Sequence, residues 1–113
     1  MQYKITAAQK KWREECRELG CILTSRNDVE MHHLYGASAK KKYNFQTLWI
    51  GQFAQVALSE GMHSKVLTPE FKNSYTNAEL FERQCERWMV NYGHDYGWCL
   101  PFSDDIYNAI MEY

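Results

Sequence analysis

The first apolar stripe along the chain has helical spacing: Ala8, Trp12, Cys16 and Leu19 recur at i, i+4, i+8 and i+11 among Gln, Lys, Arg and Glu residues. This predicts a helix over 6–19, with Thr6 as N-cap, Gly20 as stop and a narrow face docked on the rest of the domain. A short apolar run at 21–23 and a turn at Ser25, Arg26, Asn27 and Asp28 precede the alternating stretch 29–34. Together they predict a hairpin, or a strand entering the functional region. Residues 35–42 hold Gly36, small side chains and three lysines with no apolar period, and are expected to form a loop. From 45 to 58 come Leu48, Trp49, Ile50, Phe53, Val56 and Leu58. A strand is expected in the later part of that stretch, and the pattern leaves a buried helical turn earlier in it open.

Ser59 then offers an N-cap oxygen, and Glu60 suits the positive end of a short helix that includes His63 and Lys65. Pro69 and the polar stretch 72–77 are expected as loop. Asn77 would cap a stronger helix over 78–91, with Leu80, Phe81, Cys85, Trp88 and Met89 on one face and Gly93 at its end. Ser103 would cap a terminal helix through Ile106, Ile110 and Met111.

With 113 residues there is room for one domain, 1–113, and no linker or repeat divides it. Hydrophobic residues at 45% exclude a disordered chain. A net charge of −1 excludes a protein that holds nucleic acid by bulk positive charge, so any phosphate contact has to be local. Two basic clusters meet that condition: Lys40, Lys41 and Lys42, and the amino-terminal group Lys10, Lys11, Arg13 and Arg17. No apolar run approaches the roughly 20 residues needed to cross a bilayer, and the start lacks the apolar core of a signal peptide. A cytoplasmic protein is expected. Cys16, Cys21, Cys85 and Cys99 form no CxxC pair, which points to reduced, mostly buried thiols.

The chemistry concentrates in three of the four histidines, His32, His33 and His63. Imidazole can ligate a divalent cation or act as a base near neutral pH. Successive residues of a regular strand point to opposite faces, so His32 and His33 can share one site only where the pleat ends. His94 sits in the turn-rich segment 92–97 and reads as structural; Trp88, Tyr92, Tyr96, Trp98 and Phe102 read as core or partner surface before base-stacking platform.

The stretches Gly20-Cys21-Ile22, Val29-Glu30-Met31-His32-His33-Leu34-Tyr35-Gly36, Ile50-Gly51 and Ala57-Leu58-Ser59-Glu60-Gly61-Met62-His63-Ser64-Lys65 resemble the HNH (ββα-metal) endonucleases. Within that family they are most similar to phage recombination-enhancement (Ref-like) nucleases. The resemblance covers under half of the chain. It implies an α+β fold with a ββα-metal core of hairpin plus helix at about 20–67, flanked by an N-terminal helix and two C-terminal helices. It also implies a metal-dependent DNA endonuclease of phage recombination or DNA processing, acting in the host cell cytoplasm. In that scheme His33 is the general base, and His32 and His63 ligate one divalent metal, Mg²⁺ or Mn²⁺ in work and also Zn²⁺ or Ni²⁺ as bound.

Lys40, Lys41, Lys42, Lys65 and Arg26 are the expected DNA contacts. Where many such domains carry two CxxC pairs around a structural zinc, this chain reads Cys21-x-x-Thr24 and Ser59-x-x-Met62, so that zinc is not expected. The middle Asn that orients the base has no match; the spacing lands on Ala54, with Gln52 and Gln55 nearby. The alternative expectation is an HNH scaffold without strong catalysis that binds a protein partner, such as a host-defence or recombination complex.

Overall fold

A computed structural model describes residues 5–113, which form an α+β fold with five α-helices and two small antiparallel sheets. The first helix, α1 (Ala7–Glu18), starts where the sequence places it. Thr6 accepts from the Gln9 backbone N–H, and Gln9 reaches back to the Thr6 N–H, forming a capping box. Its stripe buries Trp12 and Cys16, with Gln9 in place of Ala8. Gly20 follows at φ +84°, and a Cβ there would lie 2.7 Å from the Arg26 carbonyl oxygen, so this reversal requires glycine.

Strands β1 (Val29–His33) and β4 (Gln55–Ser59) pair antiparallel, with Val29 opposite Ser59 and His33 opposite Gln55. Between them rises a separate hairpin, β2 (Lys40–Tyr43) and β3 (Gln46–Trp49). Here the structure corrects the sequence: the lysine run is a strand rather than a loop. A stretch of lysines carries no apolar period, and only pairing with β3 and the two-residue turn at Asn44 and Phe45 make it extended. The run at 21–23 leads into a turn at 22–24 rather than forming a strand, with the Ile22 N–H donating to the Ala57 carbonyl at 3.1 Å.

Every residue of β4 is buried, because α1, α2 (Glu60–His63) and α4 (Asn77–Tyr92) all pack on it. The outer edge of β4 is also closed: the Ala57 N–H donates to Gln84 Oε1 of α4 at 2.8 Å. A further helix, α3 (Pro69–Ser74), stands where a loop is expected, so three helices rather than two follow α2. Thr68 caps it and Pro69 occupies its first turn, a start signal that the polar composition of 72–77 conceals. Thr76 rather than Asn77 caps α4, and α5 (Asp104–Met111) begins at Ser103 as expected.

Large rings fill the core. Trp12 is fully buried, its Nε1–H donates to the Phe53 carbonyl at 3.0 Å, and its ring meets Trp88 and Phe102 at centroid distances of 5.8 and 5.1 Å. The cysteines are free thiols, three buried and Cys99 exposed. Among the described residues no helix is long and apolar enough to cross a membrane.

Candidate functional site

The end of β4 turns directly into α2, since Ser59 is both the last strand residue and the N-cap, accepting from the Met62 N–H. This carries His63, at the end of α2, back over β1. Its Nδ1 lies 3.1 Å from Glu30 Oε1. An ionised carboxylate can only accept, so Nδ1 is the donor, and in the neutral ring the lone pair is on Nε2. Glu30 precedes His32 by two residues and so shares its face of β1. The rings of His32 and His63 lie 5.1 Å apart, inclined by 57°.

Two imidazoles bound at roughly 2.1 Å to one ion at a tetrahedral angle have centroids about 5 Å apart, so this pair suits a shared divalent cation. His32 is held below the usual histidine range, first by burial and then by the charges of His63 and His33, which favours the neutral ligating form. Among the described residues no group of three or more His, Cys, Asp or Glu side chains is placed to hold one ion. The histidine pair would supply two protein donors to such an ion, with its remaining positions left to water or other ligands.

His33 ends β1 and faces a different partner, Gln52, whose Oε1 is 3.4 Å from His33 Nε2. The orientation of that amide is not free: Gln52 Nε2 donates to the Ala37 carbonyl at 3.2 Å, which leaves its oxygen toward the histidine. His33 Nε2 therefore carries the proton and Nδ1 is the basic nitrogen. Gly51, one residue earlier, has no space for a side chain, because a Cβ there would meet the Gly36 and Ala37 carbonyl oxygens. The 36–39 and 50–52 segments are thus pressed together behind His33, and Ile50 and Gly51 both donate to the Ala39 carbonyl.

Lys40 and Lys42 are exposed on one face of the β2–β3 hairpin, while Lys41 lies partly buried on the other, 5.9 Å from the Tyr113 ring. Lys65 is exposed just beyond α2. Arg26 directs its Nε and Nη2 to the two carboxylate oxygens of Asp28, at 2.9 and 3.3 Å, and shares a cleft with Glu60, so its charge is locally balanced. His94 is exposed beside Asp95, Trp88 is core, and Trp98 is exposed. A cavity of about 320 Å³ opens beside His32, bounded by Leu34, Val66, Phe71, Tyr75 and Leu80.

The residues that orient the histidines are those a sequence reading places least well. Glu30 is signalled only by its i−2 relation to His32, and Gln52 only by its nearness to the position where an orienting Asn is expected. No protein-family model matches the chain, and neither the curated proteins nor the solved structures hold a significant match to it.

Proposed function

We propose that the protein is a metal-dependent DNA endonuclease of the ββα-metal (HNH) kind, in which His33 is the general base and His32 and His63 hold one divalent cation. The observation that carries this reading is the division among the three imidazoles. His32 and His63 are paired, with His63 Nε2 freed by Glu30, whereas His33 is held apart by Gln52 with Nδ1 free. A ligand pair and a separately oriented base are the two parts that phosphodiester hydrolysis requires.

His33 Nδ1 takes a proton from water as the water oxygen attacks phosphorus, and the bond from phosphorus to the leaving oxygen breaks, its electron pair going to that oxygen, which takes a proton from solvent. The carboxylate of Glu30 holds the His63 ring in its tautomer, and Gln52 accepts from the imidazolium that forms on His33. When bound, Mg²⁺ or Mn²⁺ supplies Lewis-acid stabilisation of the charge that grows on the phosphate oxygens; the imidazole pair also suits Zn²⁺ or Ni²⁺. Lys40 and Lys42, with Lys65, supply phosphate contacts that carry no sequence preference.

The test is nicking of supercoiled plasmid in Mn²⁺, with and without chelator. The wild-type protein is expected to nick, and His33→Ala to lose that activity while remaining folded. Cleavage retained by His33→Ala refutes the assignment of the base. No cleavage by wild type with any metal or DNA form favours instead a scaffold that binds a protein partner.

A further inference from the structure

The tip of the β2–β3 hairpin combines three features that secondary structure alone does not explain. Asn44 and Phe45, the two turn residues, both have left-handed backbones, at φ 49° and 64°. This is the geometry of a type I′ turn, where Asn followed by Gly is favoured. Phenylalanine therefore stands where glycine is the unstrained choice. Its side chain is also fully exposed, at 104% of its reference area, so no packing offsets the strain. Finally, residues 31–59 contain three lysines and no acid, in a chain whose net charge is −1.

We infer that the β2–β3 hairpin is a nucleic-acid probe in which Lys40 and Lys42 hold phosphates and Phe45 stacks on a base, so that the protein selects DNA carrying unpaired bases near the cut. This inference rests on the proposed nuclease function and specifies its substrate. Register pairs Lys40 with Trp49 and Lys42 with Thr47, which puts both lysines on one exposed face, and Lys40 Nζ lies 5.1 Å from the centre of the Trp49 ring. The neighbours of Phe45 in sequence are Lys42, Tyr43, Asn44, Gln46 and Thr47. A fully exposed aromatic at the tip, in basic and polar surroundings, fits a base flanked by phosphates, whereas a protein docking site more often presents a contiguous apolar patch.

An unpaired base presents its face without prior unstacking, while a base in a perfect duplex has to be wedged open. The base of the hairpin is tied to His33 through Gln52 and Ala37. At about 3.4 Å per residue, the tip reaches at most about 20 Å beyond Ala39, which bounds how far from the cut the unpaired base can lie.

The test is binding in chelator, where no cleavage occurs, to a single strand carrying 2-aminopurine, to a gapped duplex and to a perfect duplex. Wild type should quench the probe and favour the first two. Phe45→Ala should lose the quenching and bind single-stranded and gapped DNA about 5- to 100-fold more weakly, with perfect-duplex affinity unchanged. Phe45→Trp should restore both. Phe45→Gly should melt at a higher temperature than wild type while losing the quenching, so that a folding defect cannot imitate the result.

Lys40→Ala with Lys42→Ala should weaken all three DNAs alike and lower the salt dependence by about two phosphate contacts. Unchanged single-strand affinity and quenching in Phe45→Ala overturns the inference, and leaves Phe45 to a protein contact. If wild type binds none of the DNAs, the nuclease reading falls with it. If wild type binds and cuts while Phe45→Ala is unaltered, only the present inference falls.

Discussion

The contact between Gln52 and His33 gives the proposed mechanism its sharpest quantitative test. Gln52 is almost fully buried, and its two bonds, to His33 Nε2 at 3.4 Å and from its own Nε2 to the Ala37 carbonyl at 3.2 Å, fix which nitrogen of His33 is basic. When His33 takes a proton, the bond from Nε2–H to Gln52 Oε1 changes from neutral to charge-assisted. Hydrogen bonds to charged groups contribute about 1.5–3 kcal/mol, and the long 3.4 Å separation argues for the lower part of that range. A loss of about 1.5–2 kcal/mol from the transition state lowers the rate about 10- to 30-fold.

Gln52→Ala should therefore slow single-turnover nicking by that factor while leaving Mn²⁺ affinity at the His32 and His63 pair unchanged. Gln52→Glu keeps an acceptor toward His33 but sets a carboxylate oxygen against the Ala37 carbonyl in place of the N–H donor, so it should recover only part of the rate. Gly51→Ala should act by another route, since its Cβ displaces the Gly36 and Ala37 carbonyls and with them the anchor of Gln52. The assay is quenched-flow or manual time courses on supercoiled plasmid with enzyme in excess. A Gln52→Ala rate within twofold of wild type would show that His33 is not oriented by this amide, and the tautomer argument would have to be abandoned.

Glu30→Ala should weaken binding of Mn²⁺ or Ni²⁺ about 10- to 100-fold by calorimetry, because His63 loses the carboxylate that holds its Nδ1 proton; equal affinity would disconnect Glu30 from the metal pair. The Tyr92 phenol is pushed up to about 12 by burial and by its bond to Glu18, so in the folded state it stays protonated where an unfolded tyrosine ionises. The unfolded chain then holds fewer protons between pH 10 and 12, and this residue's contribution, complete below pH 10, is lost as pH rises through that window. Urea denaturation of wild type and Tyr92→Phe should show their stability difference moving against wild type from pH 9 to 11, and a constant difference would contradict the assigned cause.

The elements legible in the sequence are those with their own local signals. Thr6, Ser59 and Ser103 cap helices as the pattern suggests, and Trp12, Cys16, Leu80, Phe81 and Trp88 form the buried faces the spacing marks. The features that escaped depend on partners remote in sequence. β2 is a strand because β3 lies beside it, and the lysines of β2 carry no periodic sign of that. The Pro69 signal for α3 was outweighed by polar residues that turn out to be its solvent face. At the site, the three histidines stand out by their chemistry. Glu30 and Gln52 are ordinary polar residues until the fold brings one within 3.1 Å of His63 and the other within 3.4 Å of His33.

Alternation along β1 also resolves the difficulty of two adjacent histidines in one strand. Glu30 and His32 share the face toward His63, and His33, of opposite parity, meets Gln52 at the strand's end. The charge of His33 still contributes to depressing His32, so the two imidazoles remain within electrostatic reach. Under the proposed chemistry, the reacting phosphate therefore lies across the end of the β1–β4 ribbon, because neither face alone presents both the ligands and the base. A slip of one residue between these strands would turn every side chain over and change the partners of ligand and base. That register is held from outside the site: β4 is tied to α4 through the Ala57 N–H and buried Gln84 Oε1, and to the turn after α1 through the Ala57 carbonyl and the Ile22 N–H. Gln84 thus belongs to the reason the three imidazoles keep different partners.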